Sequence, residues 1–154
     1  MNKKCGVVVV LLLAVIVAGA WKFLVQGSTL ASSDGRLAIQ LADGERNLVL
    51  GEMRAFLVSV QQIVAAANRE EMAAVAEAAA AVGAAAQQAV PGSLMGKLPM
   101  EFKKLGFDTH RKFDLLAMDA RDLGDPAHTL QQLGELMQNC VACHAAYRID
   151  LERE

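Results

Sequence analysis

Cys140-Val141-Ala142-Cys143-His144 places two thiols three residues apart and an imidazole directly after the second. On a helix, residues at that spacing share one face. The two sulfurs can then add across neighbouring vinyl groups of one haem as thioethers, and the adjoining histidine can turn its imidazole under the iron as axial ligand. Such attachment needs reduced thiols in an exported chain. A CxxC pair also serves thiol–disulfide exchange, but that chemistry wants the pair at a helix N-terminus beside a strand, where the helix dipole acidifies the first thiol. Here the pair falls late in a long helical stretch with no evident strand. Structural zinc asks for four ligands, and the remaining cysteine, Cys5, lies before the first apolar run. The last alternative is an incidental match on a haem-free helical scaffold. Haem attachment fits the spacing best.

Other side chains have a bland reading beside a chemical one. Met53 is one of 7 methionines and sits on an apolar stripe, where methionine commonly fills gaps. His110 shares the inner face of its helix with Phe113, Ala117 and Ala120; it could ligate iron, hydrogen-bond a propionate or cap the helix start. His128 falls in the first turn of the last helix, far from His144, and is expected to face solvent. Tyr147, one turn beyond His144, is expected to pack near a haem edge. Arg148 could pair with a propionate or stay solvated, and Arg46 reads as a surface charge near a helix start. Lys103, Lys104, Arg111 and Lys112 form a basic cluster, read as a solvated face with an acidic docking partner as the alternative.

These residues need helices to position them, and the composition supplies helices. The 154 residues are 54% hydrophobic but only 5% aromatic, so Ala, Leu, Val and Met must build the core. A first helix is expected over 44–67, where Val49, Met53, Phe56, Val60, Ile63 and Ala67 recur three and four apart. A second begins at Asn68 with Glu71 three residues on, a capping-box pattern, and runs through Ala-rich sequence to Val90, where Pro91-Gly92 stops it. A connection follows over 93–107, with a short helix around 101–105. The third helix covers 108–123 and ends at Gly124. The fourth has Asp125 as N-cap and Pro126 at its first position, and runs to Leu151. Four amphipathic helices with short connections predict an all-α, antiparallel four-helix bundle over 44–154.

Ahead of the bundle, Lys3 and Lys4 precede an apolar run from Val7 to Ala20, the layout of an export signal. Ala18-Gly19-Ala20 offers a cleavage site, although the bulky Trp21 follows it. The rival is an uncleaved anchor over residues 6–25, near the ~20 residues that span a bilayer. Residues 1–25 are therefore signal peptide or transmembrane anchor, and both readings put the rest outside the cytoplasm. Residues 26–43, with Gly27, Ser28, Ser32, Ser33 and Gly35, read as a linker. A net charge of −2 with no basic stripe argues against nucleic acid as a partner.

With these residues in hand, the chain resembles the class II c-type cytochromes, the cytochrome c′ and cytochrome c556 family, over 44–151. The matching stretch is Cys140-Val-Ala-Cys143-His144-Ala-Ala-Tyr147-Arg148 near the C-terminus of the last helix. A weaker match is Arg46 and Met53, seven residues apart in the first helix. The resemblance implies one covalent haem c on a four-helix bundle in the periplasm, either secreted or anchored to the inner membrane. It also implies a haem protein rather than an enzyme. Members of the c556 kind use a first-helix methionine as sixth ligand and resemble electron carriers, which assigns Met53 that role. Members of the c′ kind leave the position open and bind nitric oxide or carbon monoxide. The family's early arginine approaches a haem propionate, which gives Arg46 that expectation. Family bundles often pair through their first two helices, so a homodimer is expected beside an unidentified redox partner.

Overall fold

In the computed structural model, which describes residues 3–152, the chain is mostly helical. Helix α1 (Lys3–Ala20) takes up the apolar run and continues unbroken as a wider π-helical segment, Trp21–Gln26. Lys4–Gln26 is long and apolar enough to cross a membrane, and its most apolar window has no buried residue.

Residues 26–43, expected as a linker, instead fold. Strand β1 (Thr29–Ala31) pairs antiparallel with β2 (Leu37–Leu41), Thr29 opposite Ile39. The turn closes from Ser32 to Gly35, whose N–H donates to the Ser32 carbonyl at 3.2 Å, and Gly35 takes a φ of +85° that a side chain would resist. Ile39 and Leu41 are fully buried. The run Leu-Ala-Ile-Gln-Leu puts an apolar residue at every second position, the period of a strand.

Strand β3 (Tyr147–Leu151) joins β2 in parallel, Leu37 opposite Tyr147 and Leu41 opposite Leu151, giving the order β1-β2-β3. The mostly helical chain is compatible with the all-α expectation, to which it adds this small sheet. The last helix stops at Ala146 rather than Leu151, because Tyr-Arg-Ile-Asp-Leu also alternates and β2 offers it an edge.

Helix α2 (Asp43–Ala67) matches the first expected helix; Glu45 Oε2 accepts from the Ala42 N–H at 3.1 Å. The second is shorter than expected. Helix α3 covers only Met72–Ala80, and Ala84–Ala89 is a 3-10 turn. Glu71 does not reach back to Asn68; it pairs with Arg69 at 2.7 Å. The break comes at Gly83, where a Cβ would overlap the Asp114 carboxylate that accepts from the Ala84 N–H at 2.9 Å. The connection at 93–107 is also corrected. Helix α4 (Gly92–Lys97) is followed by one long helix α5 (Met100–Asp122). Helix α6 (Pro126–Ala146) starts as expected, with Asp125 Oδ1 accepting from the N–H groups of Ala127 and His128 at 2.8 and 3.2 Å. Gly124, at φ +62°, turns the chain between α5 and α6.

Packing contacts join α2 to α3, α3 to α5, α5 to α6 and α2 to α6. Two apolar clusters result. One joins Ile63, Val75, Ala79, Phe113, Leu116 and Leu136. The other joins Ile39, Leu41, Val49, Leu94, Leu98 and Phe102 at the sheet end.

Of the basic cluster on α5, Lys104 and Arg111 are exposed as a solvated face requires, and Lys103 departs from it. Lys103 is buried and donates to the carbonyls of Leu24 and Met95, both at 3.2 Å. Lys104 pairs with Glu101 at 2.7 Å, and Arg111 and Lys112 both pair with Asp108. A buried ammonium needs such acceptors, and helical spacing brings the acids within reach of the rest.

Candidate cofactor site

Helix α6 carries its two cysteines across the seam between the two clusters. Cys140 packs against the first, Cys143 and Tyr147 against the second. Between them lies an apolar cavity of about 450 Å³, inside the ~300–1,000 Å³ range of small-molecule sites. Its α6 wall holds Met137, Asn139, Cys140, Cys143 and His144. Its α2 wall holds Val49, Met53, Phe56, Leu57 and Val60, and α5 adds Phe102, Leu105 and Thr109. Met53 therefore shares one cavity with both thiols and the imidazole. Leu57, at the rim, stays 70% exposed.

The alignment of α6 is fixed one residue before Cys140. Asn139 Nδ2 donates to Asp108 Oδ2 at 2.9 Å and Thr109 Oγ1 at 3.3 Å, while its Oδ1 accepts from Lys112 Nζ at 3.2 Å. Arg111, Asn139 and Lys112 together hold the Asp108 carboxyl well below the usual carboxylate range. Cys140 and Cys143 are free thiols, half-buried. Burial raises the pKa of both, pushing Cys143 up to about 11.

A smaller cavity of about 160 Å³ continues from the same residues toward the sheet. Met53, Phe102, Cys143 and His144 line it, joined by Arg36, Tyr147 and Arg148. Tyr147 packs edge-on against Phe102, ring centroids 5.5 Å apart at 85°. Arg148 Nε donates to Asp150 Oδ1 at 2.9 Å, and its Nη1 lies 3.4 Å from Asp34 Oδ2.

Two expected residues stand elsewhere. His110 does not line the cysteine cavity. It is 1% exposed and packs beside Phe56, ring centroids 4.9 Å apart. Its Nδ1 lies 2.8 Å from the Val82 carbonyl and its Nε2 3.1 Å from Glu52 Oε1, so neither nitrogen faces the thiols. Arg46, in the first turn of α2, lines neither cavity. The arginines at the cavity walls are Arg54, Arg36 and Arg148. His128 joins Asp119 at 3.1 Å rather than standing alone in solvent.

Sequence reading missed Arg36, whose site partners lie more than 100 residues away along the chain. It also missed Phe102 and Thr109; their spacing along α5 with Leu105 and Phe113 was a signal that could have found them.

The donor set fits haem. Two thiols and an imidazole line one apolar cavity, with a thioether side chain on the α2 wall. Among the described residues no three His, Cys, Asp or Glu side chains gather around one point; thioether attachment does not require that, since the sulfurs bond the porphyrin edge. No protein-family model, curated protein or solved structure matches this chain.

Proposed function

We propose that this protein is an exported mono-haem c-type cytochrome that carries single electrons. Cys140 and Cys143 hold the haem, His144 ligates the iron, and Met53 supplies the sixth ligand. The observation that carries this reading is the single apolar cavity lined by all four residues. In this reading α2, α3, α5 and α6 form the antiparallel four-helix bundle of the class II family, with the sheet added at one end. Bound haem would supply a one-electron couple, and a thioether ligand favours the reduced state. The apolar walls of the cavity would cover much of the haem, and the two axial side chains stand on separate helices, α6 and α2. The raised thiol pKa values count against thiol–disulfide exchange, which needs an accessible thiolate.

The test is the full chain matured in a host with cytochrome assembly machinery. The expected preparation is coloured, with a Soret band, a low-spin spectrum and the mass of polypeptide plus one haem. Carbon monoxide binding to a high-spin, five-coordinate iron would instead favour a binder of diatomic gases. A colourless preparation with the mass of the bare polypeptide would end both readings.

A further inference from the structure

Helix α6 ends beside its most important residue. The last carbonyls of a helix lack intrahelical partners, and here that last turn holds Cys143 and His144. The chain leaves the helix at Tyr147, whose N–H still reaches the Cys143 carbonyl. His144, Ala145 and Ala146 are all exposed, so the turn packs on the core only through its flanks, Cys143 and Tyr147.

One side chain from the other end of the sequence reaches it. Arg36 Nη1 donates to the His144 carbonyl at 3.3 Å and to the Tyr147 carbonyl at 3.4 Å. The rest of the guanidinium is held from the opposite side. Its Nε and Nη2 donate to Asp34 Oδ2 at 3.0 and 2.7 Å, and the Arg36 N–H donates to Asp34 Oδ1 at 3.1 Å. The parallel pairing of Leu37 with Tyr147 sets the distance, because it brings residue 36 to the end of α6. A guanidinium there also complements the negative end of the helix dipole. Lysine has no planar fork with which to grip Asp34 and two carbonyls at once.

We propose that Arg36 is a positioning residue for His144: braced by Asp34, it clamps the last turn of α6 and fixes where the imidazole points in the cavity. The role as an axial ligand rests on the cytochrome reading above; the clamp on the helix end does not.

The test compares the full-length protein with Arg36→Lys, Arg36→Ala and Asp34→Asn, using two readouts. The first is amide hydrogen exchange over 143–147, which needs no haem. Exchange there is expected to quicken roughly tenfold in Arg36→Ala, the loss expected of a charge-assisted contact, and several-fold in Arg36→Lys and Asp34→Asn. Exchange in the α3–α5 core should stay as it was. The second is the electron paramagnetic resonance spectrum of the oxidised protein, which reports axial-ligand orientation. Its lines should broaden or split in Arg36→Lys, although that variant keeps the charge, with haem content unchanged. Unaltered exchange over 143–147 in Arg36→Lys and Arg36→Ala overturns the clamp, whether or not haem is present. Quickened exchange with an unaltered spectrum overturns the positioning of His144. A colourless wild type defeats the cytochrome reading and with it the axial role, while the exchange data still decide the clamp.

Discussion

Met53 sits on the α2 wall of the cavity and packs against the sheet-end core. As a gap filler it is worth only its volume; as a ligand it decides the spin state of the iron. Met53→Leu separates the two, because it nearly conserves volume and costs less than about 1.5 kcal/mol as a core swap. The expected result is a low-spin spectrum turned high-spin, new carbon monoxide binding and a lower reduction potential. A spectrum unchanged by Met53→Leu removes Met53 from the iron. His110 allows a second separation. Both of its ring nitrogens face acceptors, the Val82 carbonyl and the Glu52 carboxylate, so the ring satisfies both only when doubly protonated. Burial opposes that charge, but Glu52 and the carbonyls prevail and raise the pKa above its ordinary 6.5. The folded value lies above the unfolded one. His110 therefore stabilises the fold in full below about pH 6.5 and loses that contribution as pH rises through its folded value. Denaturant midpoints should fall across this range in the wild type and vary less in His110→Gln. Parallel profiles for the two proteins would show that folding leaves the pKa of His110 where the unfolded chain has it.

Helices were legible where period and punctuation agreed. The stripe from Val49 to Ala67 located α2, and Asp125-Pro126 located the start of α6. The break in the Ala-rich second helix was not legible, since Gly83 is set by the Asp114 carboxylate of α5, far along the chain. The two longer strands failed for a related reason. Each is five residues long and is stabilised by the other more than 100 positions away, whereas short alternating runs carry little signal alone. That Cys140, Cys143 and His144 stand together at one cavity was legible because they are neighbours in sequence. Arg36 at the site was not, because only the β2–β3 pairing brings it there. If the sheet is structural rather than ornamental, Ile39→Ala should cost about 2–5 kcal/mol, the usual range for truncating a fully buried aliphatic side chain. Thermal denaturation measures this directly. A change within about 0.5 kcal/mol, typical of a surface site, would mean that β2 is a loose appendage.

At the scale of the whole molecule, the question is what the apolar helix does once the domain has folded. Its far end is built into the domain. Lys103 spends a buried ammonium on the Leu24 carbonyl, and the Ser28 N–H donates to the Lys97 carbonyl at 2.7 Å. Gly27, at φ +66°, lies so close to Lys97 and Pro99 that no Cβ fits. The helix runs without interruption from Lys4 through the small residues at 18–20 to this junction. Cleavage after Ala20 would leave Trp21 and Phe23, both more than 60% exposed, as a bare apolar tip in water. Retention would place Trp21 and Lys22 at the membrane interface, where such residues are favoured. The expected outcome is a full-length chain that stays with the membrane fraction through high-salt and alkaline washing, its intact mass including residues 1–20. A soluble chain beginning at Trp21 would show that the helix serves export alone. Because the junction is braced by Lys103 and Gly27, a retained helix would also hold the domain at a set angle to the bilayer. Gly27→Ala should then loosen that angle without releasing the protein from the membrane, measurable as broadened distances between a spin label on the domain and labelled lipid.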